Sequence, residues 1–401
     1  MRLAGVDTPV GVLDMNNGLF RFAYGKSWLA NDKAFAIDPI NLPLSEKVYS
    51  DRFLWHCFED ALPDRWGQRV VLALHRQPPR NLIEWLISAR GAGVGALRFS
   101  GALSKVLPDA QIPDYEDLKD LMALAEAIDR GEMTPDSFDP RLAKALWHGS
   151  SMGGGRPKVV VMKDGLSWIA KLGASNDQFD QVRAEYAFMK MAGDCGLHVE
   201  DCELDVVAGQ PVFFAKRFDQ SSHTPVHYLS ACALVNLHRV NPNDMQSRAS
   251  YSEIAHLIRK ISAAPKQDLS ELYGRMTFNV LIGNTDDHMK NHGFLHAGKG
   301  LYRLSPAFDI LPHPGQVQQH ALIIGAHGFD SSLENLLSDV SAYGLNKDEA
   351  QAIIDRQIDV IGKSASYFKQ AGISQQDEVI LNRACRRLFE SKCSAASAFL
   401  Q

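Results

Sequence analysis

The residues best suited to chemistry gather in Leu281-Ile282-Gly283-Asn284-Thr285-Asp286-Asp287-His288-Met289-Lys290-Asn291. Here an apolar helix end runs into Gly-Asn and then a dense polar cluster. Asp286 and Asn291 stand five apart. At that spacing a loop aspartate that accepts the proton of an attacking hydroxyl precedes an asparagine that binds Mg2+. Eighteen residues further on, Ser305-Pro306-Ala307-Phe308-Asp309-Ile310-Leu311 sets one aspartate in an apolar run after a hairpin-like stretch. Asp309 is placed to be a second magnesium carboxylate; alone, it also reads as a turn or cap aspartate.

Two groups lie upstream. In Ser150-Ser151-Met152-Gly153-Gly154-Gly155-Arg156-Pro157-Lys158, three adjacent glycines let backbone N–H groups approach a phosphate closely, and a basic residue follows. No G-K-[ST] follows these glycines, so this is not a P-loop; a flexible linker is the plain alternative. Lys171 sits inside the strand-like Trp168-Ile169-Ala170-Lys171-Leu172, where a buried ammonium requires a partner. Glu185, fourteen positions later, borders the apolar face marked by Phe179, Val182, Tyr186 and Met189. A strand lysine paired to a helix glutamate after a glycine loop fixes the α- and β-phosphates of ATP in kinases. An edge-strand lysine snorkelling to solvent is the plain alternative. Each feature is weak alone. Their order (glycine loop, strand lysine, helix glutamate, hinge-like strand, D-x4-N, strand-end aspartate) is that of a two-lobed kinase.

The elements that must position these residues follow from pattern. Val10–Asp14 and Leu19–Tyr24 alternate around Asn16-Asn17-Gly18, a hairpin signal because Asn and Gly tolerate positive φ. Phe53–Leu74 has helical spacing interrupted by Pro63, and Gly91–Phe99 is a glycine-punctuated turn or short strand. Pro113–Glu132 predicts a connector helix led by acidic residues, which suit the positive end of the helix dipole. Val159–Met162, Trp168–Leu172 and Val212–Phe218 predict strands, with a helix over Asp177–Ala192 between the last two. Beyond about residue 226 the pattern is mostly helical, with a hairpin near 294–310. Asn346-Lys347-Asp348-Glu349 and Ser374-Gln375-Gln376-Asp377 resemble helix-starting capping boxes.

The order and motifs resemble the HipA family of serine/threonine kinases, the toxins of bacterial toxin–antitoxin pairs. The resemblance spans nearly the whole chain. Gly149–Lys158 resembles the family's glycine loop, and Gly283–Asn291 its catalytic loop. Val212–Asp219 resembles the strand and hinge that hold adenine and ribose, and Ser305–Leu311 the magnesium-binding segment. The hairpin, Leu62-Pro63-Asp64-Arg65-Trp66-Gly67 and Val94-Gly95-Ala96-Leu97-Arg98-Phe99 resemble its amino-terminal subdomain. The resemblance implies an α+β, two-lobed protein-kinase-like fold with a β-rich amino-terminal subdomain and a mainly helical C-lobe. Its expected divisions are 1–105, 106–220 and 221–401.

It implies Asp286 as catalytic base, Asn291 and Asp309 as Mg2+ ligands, and Lys171 on the ATP phosphates. Ser151, Met152, Gly153, Gly154, Gly155 and Lys158 would cradle phosphate, and Lys216, Phe218 and Asp219 would hold the nucleoside. His288 and Lys290 would also contact the nucleotide. Ser151, or the adjacent Ser150, would be autophosphorylated, adding about −1.5 to −2 charge to the phosphate cradle and inactivating the enzyme. The implied partner is a helix-turn-helix, HipB-like antitoxin that carries operator DNA. The implied substrate is a protein, with an aminoacyl-tRNA synthetase such as the glutamyl enzyme as the expectation. Asp309 lacks a following Phe-Gly, and Thr285 replaces the arginine of H-R-D, so the control devices of protein kinases are not implied.

Three rival readings remain open. His288, His292 and His296 recur every fourth residue beside Asp286 and Asp287, as in a metal-dependent phosphohydrolase, but Gly293 interrupts them and no H-E-x-x-H is present. The pattern D-x-H-x-x-N also resembles lipid and small-molecule kinase loops. A third reading is a binding module without activity, against which stand the intact Lys171, Asp286, Asn291 and Asp309.

Composition sets the bounds. The chain has 401 residues, 45% hydrophobic and 22% charged, enough to bury sizeable cores in two or three domains. Lys+Arg 42 against Asp+Glu 47 gives a net charge of −5, which argues against a broad basic grip on nucleic acid or membrane. No apolar run approaches the roughly 20 residues of a membrane helix. Met1–Asp7 lacks the apolar stretch of a signal peptide. Cys57, Cys195, Cys202, Cys232, Cys385 and Cys393 are scattered, without C-x-x-C, as expected of reduced thiols in a cytoplasmic protein.

Overall fold

The computed structural model describes residues 1–89, 93–102, 112–132, 145–146, 154–221, 224–236, 245–314 and 319–385. Ser150, Ser151, Met152 and Gly153 of the expected glycine loop lie outside the described residues. The chain divides into two compact units. The first comprises Met1–Asn176, Asp205–Arg239 and Gly293–Tyr302; the second comprises Asp177–Leu204, Val240–His292 and Arg303–Gln401.

Among the described residues the amino-terminal part of the first unit has five short strands. β1 (Arg2–Leu3) pairs with β5 (Leu97–Arg98), while β2 (Gly11–Asn16), β3 (Leu19–Tyr24) and β4 (Tyr49–Asp51) form an antiparallel sheet in that order. The β2–β3 turn is the expected hairpin: Asn17 has φ 50° and Gly18 φ 74°. Pro63 splits the Phe53–Leu74 stretch into helices His56–Glu59 and Arg65–Leu74. Asp64 caps the second, its side chain accepting from the Gly67 N–H.

The central sheet has the order β6 (Lys158–Lys163), β7 (Leu166–Lys171), β9 (Gln210–Lys216), β8 (Cys202–Val207). β6 pairs antiparallel with β7, and β7 with β9. Register assigns the faces, because directly opposite residues point the same way. Val159, Val161, Trp168, Ala170, Val212 and Phe214 share one face. They bury it against Trp66, Val70 and Val71 of Arg65–Leu74 and Leu118, Leu121 and Ala125 of Leu118–Asp129. The opposite face carries Lys158, Lys171 and Phe213 side by side. The connector helix starts later than its acidic lead suggests, because Tyr115–Asp117 form a 3-10 turn before it.

The second unit is mostly helical. Tyr251–Ile261 packs on Pro265–Ile282, which packs in turn on Lys347–Ile361; Gln181–Asp194 packs on Ser364–Ala371. Asn346 and Glu349 form the expected capping box, and Ser374 Oγ accepts from the Asp377 N–H at the start of the 375–385 helix. The 294–310 stretch forms strands β11 (Gly293–Gly298) and β12 (Leu301–Leu304), in a sheet with β10 (Tyr228–Ser230); β10 and β11 belong to the first unit. Among the described residues no helix is long and apolar enough to cross a membrane.

Candidate active site

The catalytic-type loop is built where Pro265–Ile282 stops. Gly283 takes φ 73°, and a Cβ there would lie 2.9 Å from the Ala384 carbonyl oxygen, so glycine alone ends the helix at this point. The next residues alternate in exposure. Asp286, His288 and Lys290 are exposed; Asp287, Met289 and Asn291 are buried. A 3-10 turn over Met289–Asn291 closes with the Asn291 N–H donating to the His288 carbonyl at 2.8 Å.

What holds this loop is a buried cluster behind it. Asp287, 2% exposed, accepts through Oδ2 from Tyr251 Oη–H, from Asn279 Nδ2 at 2.9 Å and from His292 Nε2 at 3.0 Å. Asn284 Nδ2 extends the chain to Asn279 Oδ1 at 3.1 Å. Burial pushes the Asp287 carboxyl up, but the His292 imidazole, the Tyr251 hydroxyl and the nearby His288 ring outweigh it and hold it below the ordinary carboxylate value. Asp287 and His292 each follow one of the expected functional residues, Asp286 and Asn291. Their bond therefore braces the loop from behind at both functional positions. Backbone bonds add to it: Ala321 N–H donates to the Thr285 carbonyl and His313 N–H to that of Gly283.

Asp309 lies in the same unit with an exposed side chain and φ 58°, a left-handed conformation that aspartate tolerates better than most residues. Asn284 Nδ2 reaches the Asp309 carbonyl at 3.5 Å. Asn291 and Asp309 offer hard oxygen donors of the kind Mg2+ prefers. Glu185 is buried at 7% exposure in Gln181–Asp194; it falls in the second unit and Lys171 in the first.

In the first unit Lys171 ends β7, with its ammonium 5.9 Å from the Phe213 ring centre. Directly across the sheet stands Lys158, whose charge is turned inward. Its side chain is 3% exposed and its Nζ lies 2.9 Å from Asp64 Oδ2. Burial pushes the Asp64 carboxyl up, and Lys158 pulls against it. Trp66 Nε1 donates to the Lys158 carbonyl at 2.9 Å, and the Gly155 backbone lies against Arg65. Gly154, at φ 87°, needs its glycine.

The hinge-like segment is likewise turned inward at one residue. Asp219 is 2% exposed and takes a two-pronged bond from Arg217, at 2.9 Å and 2.7 Å, plus the Gly95 N–H at 2.7 Å. Arg217 Nη2 also donates to the Gly93 carbonyl at 3.2 Å. Lys216 is opposite Trp168, on the face away from Lys171, and Phe218 stacks obliquely near Tyr228 at 6.3 Å.

The structure thus gathers Asp286, His288, Lys290, Asn291 and Asp309 in one unit, and Gly154, Gly155, Lys158, Lys171, Lys216, Phe218 and Asp219 in the other. Two of the three histidines of the metal reading serve other contacts: His292 bonds Asp287, and His296 stacks on Phe35 with centroids 3.8 Å apart. Among the described residues no group of three or more His, Cys, Asp or Glu is placed to hold a metal. The sequence pattern gives no role to Tyr251 or Asn279, and gives Asp287 one only as a metal ligand of the phosphohydrolase reading. The parity of 287, 289 and 291 around apolar Met289 was the available signal.

An α+β chain with a sheet of this order, a helical second unit and a braced D-x4-N loop has a kinase-like fold. Residues 150–365 match the family described as HipA-like C-terminal domain, and residues 4–100 match the HipA N-terminal domain. The chain belongs to the HipA family of kinases. It is 22% identical over 314 residues to "Putative kinase Y4mE" of Sinorhizobium fredii, covering 74% of this chain and 72% of that one. It is 27% identical over 209 residues to "Putative kinase Y4dM" of the same organism, covering 49% and 47%. Its fold is similar to that of HipA from Shewanella oneidensis MR-1, solved as a toxin–antitoxin complex with HipB and operator DNA. That likeness has a TM-score of 0.67 at 19% identity, over 95% of each chain.

Proposed function

We propose that the protein is an ATP- and Mg2+-dependent serine/threonine protein kinase. The observation that carries this reading is the brace Asp287–His292, which holds exposed Asp286 and buried Asn291 at the two ends of one short loop. In this reading ATP supplies the phosphoryl group, and Mg2+ neutralises charge on its phosphates. Asp286 accepts the proton of the substrate hydroxyl, and Asn291 and Asp309 are the magnesium ligands. Lys171 is the phosphate cation, and the backbone of Lys216–Phe218 holds adenine. Lys158 and Asp219 are satisfied within the protein, so we give them anchoring roles instead of direct nucleotide contacts.

Autophosphorylation at Ser151 or Ser150, a HipB-like antitoxin with its operator DNA, an aminoacyl-tRNA synthetase substrate and a cytoplasmic location belong to the same reading. They rest on family membership. So does the division into an amino-terminal subdomain (1–105), a nucleotide lobe (106–220) and a C-lobe (221–401).

The experiment is transfer from γ-labelled ATP with cell lysate, native protein against Asp286→Asn. Loss of a general base predicts a fall of about 10²–10⁴-fold in labelling of a protein band, with the fold intact. Full activity of Asp286→Asn would overturn the mechanism. Label found only in lipid or small molecules would replace the substrate class.

A further inference from the structure

The amino-terminal HipA domain sits inside the first unit and touches the expected nucleotide-binding wall at three places. First, Arg65–Leu74 of this domain packs on the back of the β6–β7–β9–β8 sheet, beside the connector helix that follows the domain. Second, Asp64 and Trp66 hold Lys158 at the base of the glycine-rich turn, one by its ammonium and one by its carbonyl. Third, the Gly93-Val94-Gly95 turn grips the segment after β9. Gly95 N–H bonds Asp219, and the Gly93 carbonyl takes Arg217. Gly95 has φ 75°, and a Cβ on it would lie 2.9 Å from Tyr228 Cβ, so the turn approaches this closely only as glycine. Arg217 and Asp219 have side chains 4% and 3% exposed. A solvent-facing ion pair would do nothing for position; a buried one bonded to two backbone groups fixes the main chain on both sides of Phe218.

We infer that the amino-terminal domain is a clamp for the nucleotide site: through Gly93 and Gly95 it sets the position of Lys216–Phe218, with Arg217 and Asp219 as positioning residues. This rests on the kinase reading, in which the backbone of that segment receives adenine. Asp219 then governs nucleotide affinity without touching the nucleotide.

The test uses the full-length protein. Arg217→Met/Asp219→Leu removes both charges together, which leaves no uncompensated buried ion and strands only the Gly95 N–H and the Gly93 carbonyl. Asp219→Asn, which keeps an acceptor for the Gly95 N–H, is the second variant should the double one not fold. Arg69→Ala, which breaks an exposed pair between the same domain and Asp129 of the connector helix, is the control. Peptide-level amide exchange over residues 213–221 and ADP affinity by calorimetry are measured on each.

For the double variant, both exchange rate and the ADP dissociation constant should rise about tenfold or more, with the protein folded and melting above the single variant Asp219→Leu. Asp219→Asn should move both in the same direction by less, and Arg69→Ala should move neither. A folded variant whose 213–221 amides exchange at the native rate would overturn the clamp. Faster exchange with native ADP affinity would overturn its role in nucleotide binding. If native protein binds no ADP, the kinase reading fails instead, and the exchange measurement still decides the clamp.

Discussion

The catalytic-type loop and the Lys216–Asp219 segment each bury a carboxylate, and they satisfy it by different means. Asp287 takes bonds from Tyr251, Asn279 and His292, residues 36, 8 and 5 positions away. Asp219 takes a permanent charge from Arg217, two positions away, and a backbone N–H from Gly95, 124 positions away. The first brace is closed within its own stretch of chain and made of several donors. The second is one strong ion pair tied to a distant turn. In both, burial alone would raise the carboxyl, and the partners outweigh it and hold it low. Removing a group from a many-donor cluster orphans several partners, whereas removing the ion pair as a pair leaves no buried charge and orphans two backbone groups, the Gly95 N–H and the Gly93 carbonyl.

The largest effect follows from that difference. Asp219→Leu leaves the Arg217 guanidinium buried and unpaired, which costs about 3–5 kcal/mol; adding Arg217→Met recovers most of it. Asp287→Leu strands three buried donors at about 1–3 kcal/mol each, and His292→Phe as a second change leaves Tyr251 and Asn279 stranded still. Urea midpoints for the four variants check this. Equal recovery at both places would erase the distinction between the two braces.

How far the sequence spoke for these regions follows the same line. The Asn17-Gly18 hairpin, the Asn346 capping box and the glycine stop at Gly283 are local events, and residue type at one place announces each of them. The kinase-like fold was legible because several such local signals came in a telling order. The inward turn of Lys158 and Asp219 was not. Each is settled by a partner 94 or 124 residues upstream, and one chain's periodicity carries nothing about which distant residues meet. Resemblance put both residues at the nucleotide, whereas burial beside Asp64, Arg217 and Gly95 occupies them within the protein. In the loop, the doublet Asp286-Asp287 could not say which carboxylate faces solvent until Tyr251 and Asn279 were seen behind one of them.

Acid should separate histidines from carboxylates in both units. His227 in the first unit and His320 in the second are 3% exposed each, and burial holds both imidazoles down to about 4. Unfolded histidine titrates near ~6.5, so between there and about 4 the unfolded chain takes up protons that the native one refuses. The stability tied to neutral histidine is whole above that range and falls with pH, by roughly 2 kcal/mol per residue at about pH 5. Asp219 and Asp287, held below the ordinary value, contribute fully above about pH 4 and lose their contribution only as pH drops through their lowered values. Urea midpoints between pH 7 and 5 should therefore fall in native protein and fall less in His227→Gln and His320→Gln. Unchanged slopes in both variants would place the acid sensitivity elsewhere.

The smallest expected effect tests whether sequence distance or burial gives the second brace its strength. Arg69 and Asp129 join the helices Arg65–Leu74 and Leu118–Asp129 across 60 positions, with Nη1 and Oδ1 at 2.6 Å. By distance along the chain this tie resembles Gly95 to Asp219. But the Arg69 side chain is 52% exposed. Water already solvates that guanidinium, and fixing it costs side-chain entropy, so Arg69→Ala should cost less than about 1 kcal/mol. Salt at about 1 M should shrink that further, because the screening length there is about 3 Å. A loss comparable to that of Asp219→Leu would mean that any bond to the amino-terminal domain matters equally. A small, salt-sensitive loss instead assigns the clamp to the buried contacts, where the guanidinium has no water to return to.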